Sequence, residues 1–155
     1  MDLKETVQSF DIFNGLGAGE LETILACGEQ VHIGREKIVF EESSRETDIY
    51  ILLNGRVSVE LGYAYEADQH PHNLELALFR QGEVFGEIAF LRRSRRSARV
   101  TAIDDIEVLK LDGNRLLSRF EQDPSLGYRM MRNLACILAG RLETISLKHR
   151  DDIRS

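Results

Sequence analysis

The chain carries helical spacing of apolar residues near both ends and a β-type pattern between them. Residues 5–10 and 18–27 have the composition of short helices, separated by a glycine-rich break at 14–17. From residue 31 onward, short apolar runs are separated by turn residues, which is typical of a small antiparallel barrel or jelly roll. The predicted strands are residues 31–33, 37–40, 49–53, 56–61, 74–79, 97–102 and 107–111.

The dipeptide Asn54-Gly55 lies between two of these strands. It is the strongest short hairpin signal in the chain, because both residues accept positive φ. We therefore expect strands 49–53 and 56–61 to pair with each other through this turn. Residues 62–72 read as a polar connection, in which His70-Pro71-His72 would be an exposed loop.

The predicted strand at 74–79 is apolar at most positions. Alternation would place Leu74, Leu76 and Leu78 on a buried face. Ala77 and Phe79 then have two interpretations, packing in the core or forming the wall of a ligand site, and core packing is favoured.

Two helices are predicted after the last strand. Asp112 is a suitable N-cap for a helix through Phe120, and Asp123-Pro124 would end it and open another helix. The final helix would extend for about 25 residues, or around 38 Å at 1.5 Å per residue, which is longer than the face of a barrel this size. Its far half therefore needs a partner. Its apolar residues recur at spacings of four and three: Leu126, Met130, Leu134, Leu138, Leu142 and Ile145.

The length of 155 residues suits one domain of the α+β class, mainly β. We expect N-terminal helices in residues 1–29, a β-barrel or jelly roll in 30–111 and C-terminal helices in 112–150. A net charge of −6 argues against a nucleic-acid partner. No segment approaches the roughly 20 apolar residues of a membrane span. The N-terminus lacks the basic start and apolar core of a signal peptide, so a cytoplasmic location is expected.

Neither catalysis nor a metal site is expected from the motifs present. Cys27 and Cys136 lie far apart in apolar helical segments, so both are interpreted as buried structural thiols. The histidines lack the spacing of a metal site, and no nucleophile elbow, P-loop or His-Glu-x-x-His motif occurs.

The candidate chemistry is concentrated in residues 82–102, where a glycine turn, an acidic residue, a short apolar helix and an arginine cluster follow one another. Gly86 allows the backbone to approach a ligand closely. Arg96 offers a guanidinium fork that suits two phosphate oxygens, and an ionised Glu87 would accept hydrogen bonds from a hydroxyl group. This combination fits a small cyclic phosphate ester.

Here the chain resembles the cyclic nucleotide-binding domain family, whose phosphate-binding cassette reads Phe-Gly-Glu-aliphatic-Ala followed by Arg-small-Ala. We call residues 82–102 the cassette. The resemblance implies that Glu87 binds the ribose 2′-hydroxyl, Arg96 the cyclic phosphate, and Ser97 an exocyclic oxygen or the base edge. It favours cAMP as ligand, leaves cGMP open, and implies no other cofactor. The expected ligand-binding residues are Phe85, Gly86, Glu87, Ile88, Ala89, Arg96, Ser97 and Ala98.

Two parts of the sequence depart from the family pattern. The turn before the Tyr50 strand reads Glu41-Glu42-Ser43-Ser44, where the family has an acidic residue and glycine. Arg95 and Arg99 stand where many members carry proline and a small hydroxyl residue. The remaining arginines of the cluster, Arg92 and Arg93, are expected to face solvent.

The resemblance implies a sensor whose C-terminal helices transmit ligand binding to an effector that the sequence does not identify. A homodimer through the final helix is expected, or closure of that helix over the ligand's base. The alternative is a ligand-free dimerisation module that keeps the fold, and the altered turn at 41–44 supports it. A third hypothesis is the sensor half of a transcription regulator. Because no helix-turn-helix follows the final helix, direct DNA binding is not expected.

Overall fold

The structure, a computed structural model, describes residues 2–64 and 71–154. Within these ranges it has eight strands and five α-helices, with one 3₁₀ turn at Asp11–Phe13. The helices are α1 (Leu3–Val7), α2 (Ala18–Leu25), α3 (Glu87–Arg92), α4 (Gly113–Gln122) and α5 (Pro124–Arg154). The strands are β1 (Gly28–Ile33), β2 (Ile38–Phe40), β3 (Ile49–Asn54), β4 (Val57–Ala64), β5 (Pro71–Phe79), β6 (Val84–Phe85), β7 (Arg99–Ala102) and β8 (Ile106–Leu111).

The strands form two antiparallel sheets, one in the order β1-β8-β3-β6 and the other in the order β2-β7-β4-β5. This confirms the expected α+β, mainly β jelly roll with N-terminal helices and two C-terminal helices.

The first sheet is the middle layer, because its two faces pack into different cores. Tyr50 and Leu52 of β3 pack among residues of the second sheet, whereas Ile49 and Ile51 pack with residues of the helices. All four are almost fully buried. A strand covered on both faces is apolar at consecutive positions, which explains the continuous run in β3.

The predicted hairpin at Asn54-Gly55 is wrong. β3 pairs with β8 and β6, while β4 pairs with β5 and β7 in the other sheet. Gly55 does have a φ of +86°, so the chain reverses sharply, but the turn carries it from one sheet to the other. Next to it, Arg56 donates two 2.9 Å hydrogen bonds to Asp104 in the β7–β8 turn. A turn dipeptide specifies the reversal, whereas burial of both faces of β3 decides which strands pair.

Strands β4 and β5 are longer than predicted and pair from Val57 with Phe79 to Ala64 with Pro71. Pro71 and His72 therefore belong to a strand backbone rather than to a loop, and residues 65–70 of the predicted connection lie outside the described residues. The expected burial of Leu74 and Leu76 is also wrong, since they are 49% and 53% exposed. A register shift opposite β5, between Val59 and Glu60, interrupts the simple alternation.

The C-terminal helices begin as predicted, and Asp112 caps α4 by accepting a 3.0 Å hydrogen bond from the Arg115 N–H. α5 has 31 residues, more than the predicted 25 or so. Its first half packs on the core through Leu126, Met130 and Leu134, which are at most 5% exposed. Its second half is largely solvent-exposed.

The two cysteines differ in their environments. Cys27 is buried as predicted, and burial raises the pKa of its thiol. Cys136 is exposed, so its predicted burial is wrong. It lies on the side of α5 that points away from Leu134 and Leu138. The spacing of apolar residues in the sequence does not show how much of the helix circumference is buried.

Candidate functional site

A cavity of about 250 Å³ lies between the second sheet, α3 and α5. All eight residues that the sequence analysis selected border it: Phe85, Gly86, Glu87, Ile88, Ala89, Arg96, Ser97 and Ala98. The other bordering residues are Phe40, Val59, Leu76, Ala77, Phe79, Val100, Arg141 and Ile145. The walls are thus mainly apolar, with a few charged groups, which is the usual composition of a small-molecule pocket.

Gly86 brings the cassette into this shape. It lies before α3 with a φ of +81°, a conformation that other residues adopt only with strain. A Cβ at this position would lie 2.9 Å from Arg96 Nη1 and 3.1 Å from the Asp48 carbonyl oxygen. The glycine therefore allows both the turn and the close packing of Arg96 beneath it.

Arg96 is 3% exposed and is held by the main chain of the barrel. Its Nη1 donates to the Gly86 carbonyl at 2.8 Å and its Nη2 to the Asp48 carbonyl at 2.7 Å. The guanidinium carbon lies 4.0 Å from the centroid of the Phe40 ring, within cation–π range. Burial lowers the pKa of the guanidinium, partly opposed by nearby Glu46, yet arginine remains a cation in proteins.

Among the side chains that the structure describes, the Nε of Arg96 is the one buried nitrogen or oxygen without a hydrogen-bond partner. An unpaired buried donor costs about 1–3 kcal/mol, more when it is charged. An acceptor that enters the cavity beside Arg96 would remove this cost.

Glu87, which also borders the cavity, is 7% exposed. Its Oε1 accepts a 3.2 Å hydrogen bond from Nη1 of Arg141, which is on α5. Arg141 also donates from Nη2 to the Val84 carbonyl, and its guanidinium carbon lies 4.3 Å from the centroid of the Phe79 ring. A carboxylate has about four lone-pair positions, so acceptor capacity remains on Glu87 for a hydroxyl group.

Arg141 is the charged cavity residue that the sequence did not predict, and Phe40, Val59 and Val100 are apolar ones. Arg141 is 54 positions from Glu87, and no motif links the two. The available signal was weak: an arginine directly beside Leu142, on a helix predicted to be longer than the barrel.

Ala77 and Phe79 both border the cavity, so the wall interpretation applies to them, and Phe79 also packs against the core between the sheets. Arg92 and Arg93 are exposed as predicted.

The two departures from the family pattern contact each other. Arg99 pairs with Glu41 at 2.8 Å, and Arg95 Nη1 donates to the Ser43 carbonyl at 3.3 Å. The Arg96 main chain bonds this turn as well, donating its N–H to Ser44 and accepting from Ser43, both at 2.8 Å. The unusual arginines therefore hold the unusual turn, so the turn change does not remove support from Arg96.

Within the described ranges, no group of three or more histidine, cysteine, aspartate or glutamate side chains is placed to hold a metal ion. The helices described there include none that is both long and apolar enough to span a bilayer.

Comparison with known proteins extends the resemblance. A profile of the cyclic nucleotide-binding domain family matches residues 30–123. A putative potassium channel protein of Rhodopseudomonas palustris is 30% identical over 148 residues, or 92% of this chain and 33% of the channel protein. A cyclic AMP receptor protein of Thermus thermophilus is 27% identical over 137 residues, or 88% of this chain and 59% of the receptor.

A solved structure has the same fold. A putative cyclic nucleotide-binding protein from Geobacter metallireducens superposes with a TM-score of 0.75 at 22% identity, covering 92% of this chain and 99% of that one. The chain spans only a third to three fifths of the two curated relatives, so these similarities concern one domain of longer proteins.

Proposed function

This chain belongs to the cyclic nucleotide-binding domain family, and we propose that it is a sensor domain that binds one cyclic nucleotide, cAMP in preference to cGMP. The observation that carries the proposal is that Arg96 and Glu87 border the same cavity and are both almost fully buried. A buried cation and a buried anion that border one cavity suit a ligand with an anionic phosphate and a hydroxyl-bearing sugar.

The cyclic phosphate is assigned to Arg96. Its unpaired Nε is a charged donor that an oxygen of the ligand would satisfy, and charge-assisted hydrogen bonds are about twice as strong as neutral ones. Ser97, next to it, supplies a hydroxyl group to an exocyclic oxygen or the base edge. Gly86 and Ala89 leave room for the ligand, and Phe85, Ile88 and Ala98 complete the apolar contacts.

The ribose 2′-hydroxyl is assigned to Glu87, which accepts its hydrogen bond while keeping Arg141 as counter-ion. The base then lies toward Ala77, Phe79 and Ile145 on the apolar side of the cavity. Because Arg141 and Ile145 belong to α5, a ligand in this position contacts the helix directly. If α5 has two positions relative to the barrel, the ligand shifts the equilibrium between them only by the difference between its affinities for the two.

The signal passes to a second copy of the chain through the second half of α5. This segment exposes Leu142, Ile145, Leu147 and Ile153 at 44–71% of their surface, a large apolar content for a helix in water. Sedimentation equilibrium of the wild type and of Leu142→Glu tests this assembly. We expect a dimer and a monomer, respectively, and a monomeric wild type would contradict the proposal. The effector is unspecified, and a cytoplasmic location without direct DNA contact remains a prediction.

Isothermal titration of the purified chain with cAMP, cGMP and 5′-AMP tests the binding function. We expect saturable binding with one site per chain, tighter for cAMP than for cGMP, and no binding of 5′-AMP at the same concentrations. Ligand at a hundred times its dissociation constant also stabilises the folded state by about 2.7 kcal/mol, which thermal unfolding measures independently.

The second candidate is a ligand-free dimerisation module with the same fold. One observation favours it: Glu87 is already paired with Arg141, and both Nη atoms of Arg96 are already bonded to carbonyls. It predicts no heat of binding and no thermal shift with any cyclic nucleotide. The unpaired Arg96 Nε is the reason we prefer the sensor.

A further inference from the structure

Asp48 contacts both the cavity arginine and the start of α4. Its carbonyl oxygen accepts the 2.7 Å hydrogen bond from Arg96 Nη2. Its carboxylate Oδ1 accepts a 3.1 Å hydrogen bond from the N–H of Gly113, the first residue of α4. Asp48 thus joins Arg96, the proposed phosphate-binding residue, to the first of the two C-terminal helices.

The segment that contains Asp48 is tightly confined on the α4 side. A Cβ on Gly113 would lie 2.4 Å from the Thr47 carbonyl oxygen, so α4 begins in direct contact with this backbone. Lys110 places its Nζ 3.2 Å from Glu46 Oε1 and 3.7 Å from Asp48 Oδ2. Residues 46–48 are therefore in direct contact with the start of α4, so a displacement of this segment reaches that helix.

The other side of the segment faces the cavity wall. Glu46 accepts a hydrogen bond from the Tyr50 hydroxyl, and the Tyr50 ring is stacked on Phe85 with ring centroids 5.1 Å apart. Phe85 itself borders the cavity. Two contacts, one through Arg96 and one through Tyr50, therefore connect the cavity with residues 46–48.

We propose that Asp48 is a positioning residue that couples Arg96 to the N-terminus of α4, and through α4 to α5. The inference rests on the proposed function for its ligand-dependent part. When a phosphate binds the free Nε of Arg96, the bond from Nη2 to the Asp48 carbonyl changes in strength while the guanidinium keeps its place, and the Asp48 carboxylate transmits the change to Gly113. By the reciprocity of coupled equilibria, loss of the Asp48 carboxylate must then also change the affinity of the cavity for its ligand.

The first test needs no ligand. Amide hydrogen exchange is measured at Gly113 and the following residues of α4 in the wild type, Arg96→Ala and Arg92→Ala. We expect Arg96→Ala to accelerate exchange at Gly113 by about fivefold and the control Arg92→Ala, at an exposed arginine of the same cluster, to leave it unchanged. Unchanged exchange in Arg96→Ala would overturn the inference whether or not the chain binds a nucleotide.

The second test uses cAMP titration of Asp48→Ala, Asp48→Asn and Asp112→Ala. Asp112 is the matched control, because its carboxylate caps the same end of α4 through the Arg115 N–H without contacting Arg96. We expect affinity to fall about tenfold in Asp48→Ala, to recover to within about threefold of the wild type in Asp48→Asn, which keeps an acceptor, and to stay within about twofold in Asp112→Ala.

Equal losses of cAMP affinity in Asp48→Ala and Asp112→Ala would show that Asp48 acts only as a helix cap, and would overturn the inference. If Asp48→Ala does not fold, the Asp48→Asn titration and the exchange at Gly113 still decide. A wild type that binds no cyclic nucleotide contradicts the proposed function instead, and then only the exchange measurement bears on the coupling.

Discussion

The cavity holds its two buried charged groups, Arg96 and Glu87, in different ways, and we call their surroundings the Arg96 end and the Glu87 end. Arg96 is bound by carbonyl oxygens of the barrel backbone, those of Gly86 and Asp48. Glu87 is bound by a side chain, Arg141, on the part of α5 where the helix leaves the core. The barrel therefore fixes the Arg96 end before any ligand arrives, whereas the position of a helix determines the Glu87 end.

This difference separates the main source of affinity from the direct contact with α5, which the route through Asp48 reaches only by way of α4. A preformed cation supplies binding energy with little reorganisation, so the Arg96 end is the main source of affinity. An ion pair between barrel and helix is a contact that a ligand can strengthen or replace, so the Glu87 end reports occupancy to α5.

The largest expected effect is the loss of ligand affinity in Arg96→Ala. The variant removes hydrogen bonds from a charged donor, each contributing about 1.5–3 kcal/mol, so a total near 3 kcal/mol corresponds to more than about a hundredfold weaker cAMP binding. Titration calorimetry measures it, and Arg92→Ala is the control because that side chain is exposed. Affinity within threefold of the wild type in Arg96→Ala would show that the cation end is not the main source of affinity.

The next effect tests the Glu87 end by pairing a substitution with a changed ligand. Glu87→Gln should weaken cAMP binding about tenfold, because a charge-assisted hydrogen bond is replaced by a neutral one. In the wild type, 2′-deoxy-cAMP should lose a similar amount. In Glu87→Gln, the deoxy analogue should bind only about threefold more weakly than cAMP, because the bond that it lacks there is the weaker neutral one. If removing the 2′-hydroxyl weakens binding as much in Glu87→Gln as in the wild type, the two losses of affinity are additive and the 2′-hydroxyl does not contact Glu87.

The sequence predicted the Arg96 end better than the Glu87 end. The eight cassette residues lie within 14 positions, and a turn with one short helix brings them together, so their spacing alone carries the geometry. Arg141 reaches Glu87 only because α5 crosses the barrel at one particular angle. That angle depends on the packing of Leu126, Met130 and Leu134, which sequence spacing shows to be apolar but does not place in space.

The same limit explains the errors within the barrel. Positive φ at Gly55 is a local property and was predicted correctly, whereas strand pairing depends on residues such as Leu109 and Val100 in distant strands. Leu76 is the residue that the β4–β5 pairing skips, since Val59 pairs with Ala77 and Glu60 with Glu75, and this irregularity breaks the alternation that predicted its burial. The sequence thus predicts local backbone conformation, but it does not predict which remote strands pair.

The third effect should appear in the helix rather than in affinity. Arg141→Ala removes the ion pair to Glu87 and the bond to the Val84 carbonyl. A partly buried pair of this kind contributes about 1 kcal/mol, so we expect amide exchange in residues 139–147 to accelerate about fivefold. cAMP affinity should change less than about threefold. The control is Arg129→Ala, whose pair with Glu20 lies on the first half of α5.

A result in which Arg141→Ala weakens cAMP binding as strongly as Arg96→Ala would contradict the division, because α5 would then supply affinity. Unchanged exchange at 139–147, with normal exchange elsewhere in α5, would show that the ion pair does not hold the helix. Arg141→Lys keeps the charge without the planar fork and should give intermediate exchange rates.

The smallest expected effect shows which part of the nucleotide the Ser97 hydroxyl contacts. Ser97 follows Arg96 in the chain and borders the cavity, and a neutral hydrogen bond contributes about 0.5–1.5 kcal/mol, so Ser97→Ala should weaken binding about threefold. If the hydroxyl contacts an exocyclic phosphate oxygen, which both nucleotides share, the losses of affinity for cAMP and cGMP should be equal. Parallel titrations measure the ratio, with Ser94→Ala, at an exposed serine outside the cavity, as control. A loss confined to cGMP would place the hydroxyl at the guanine edge, and the fixed end of the cavity would then also contribute to the choice of base.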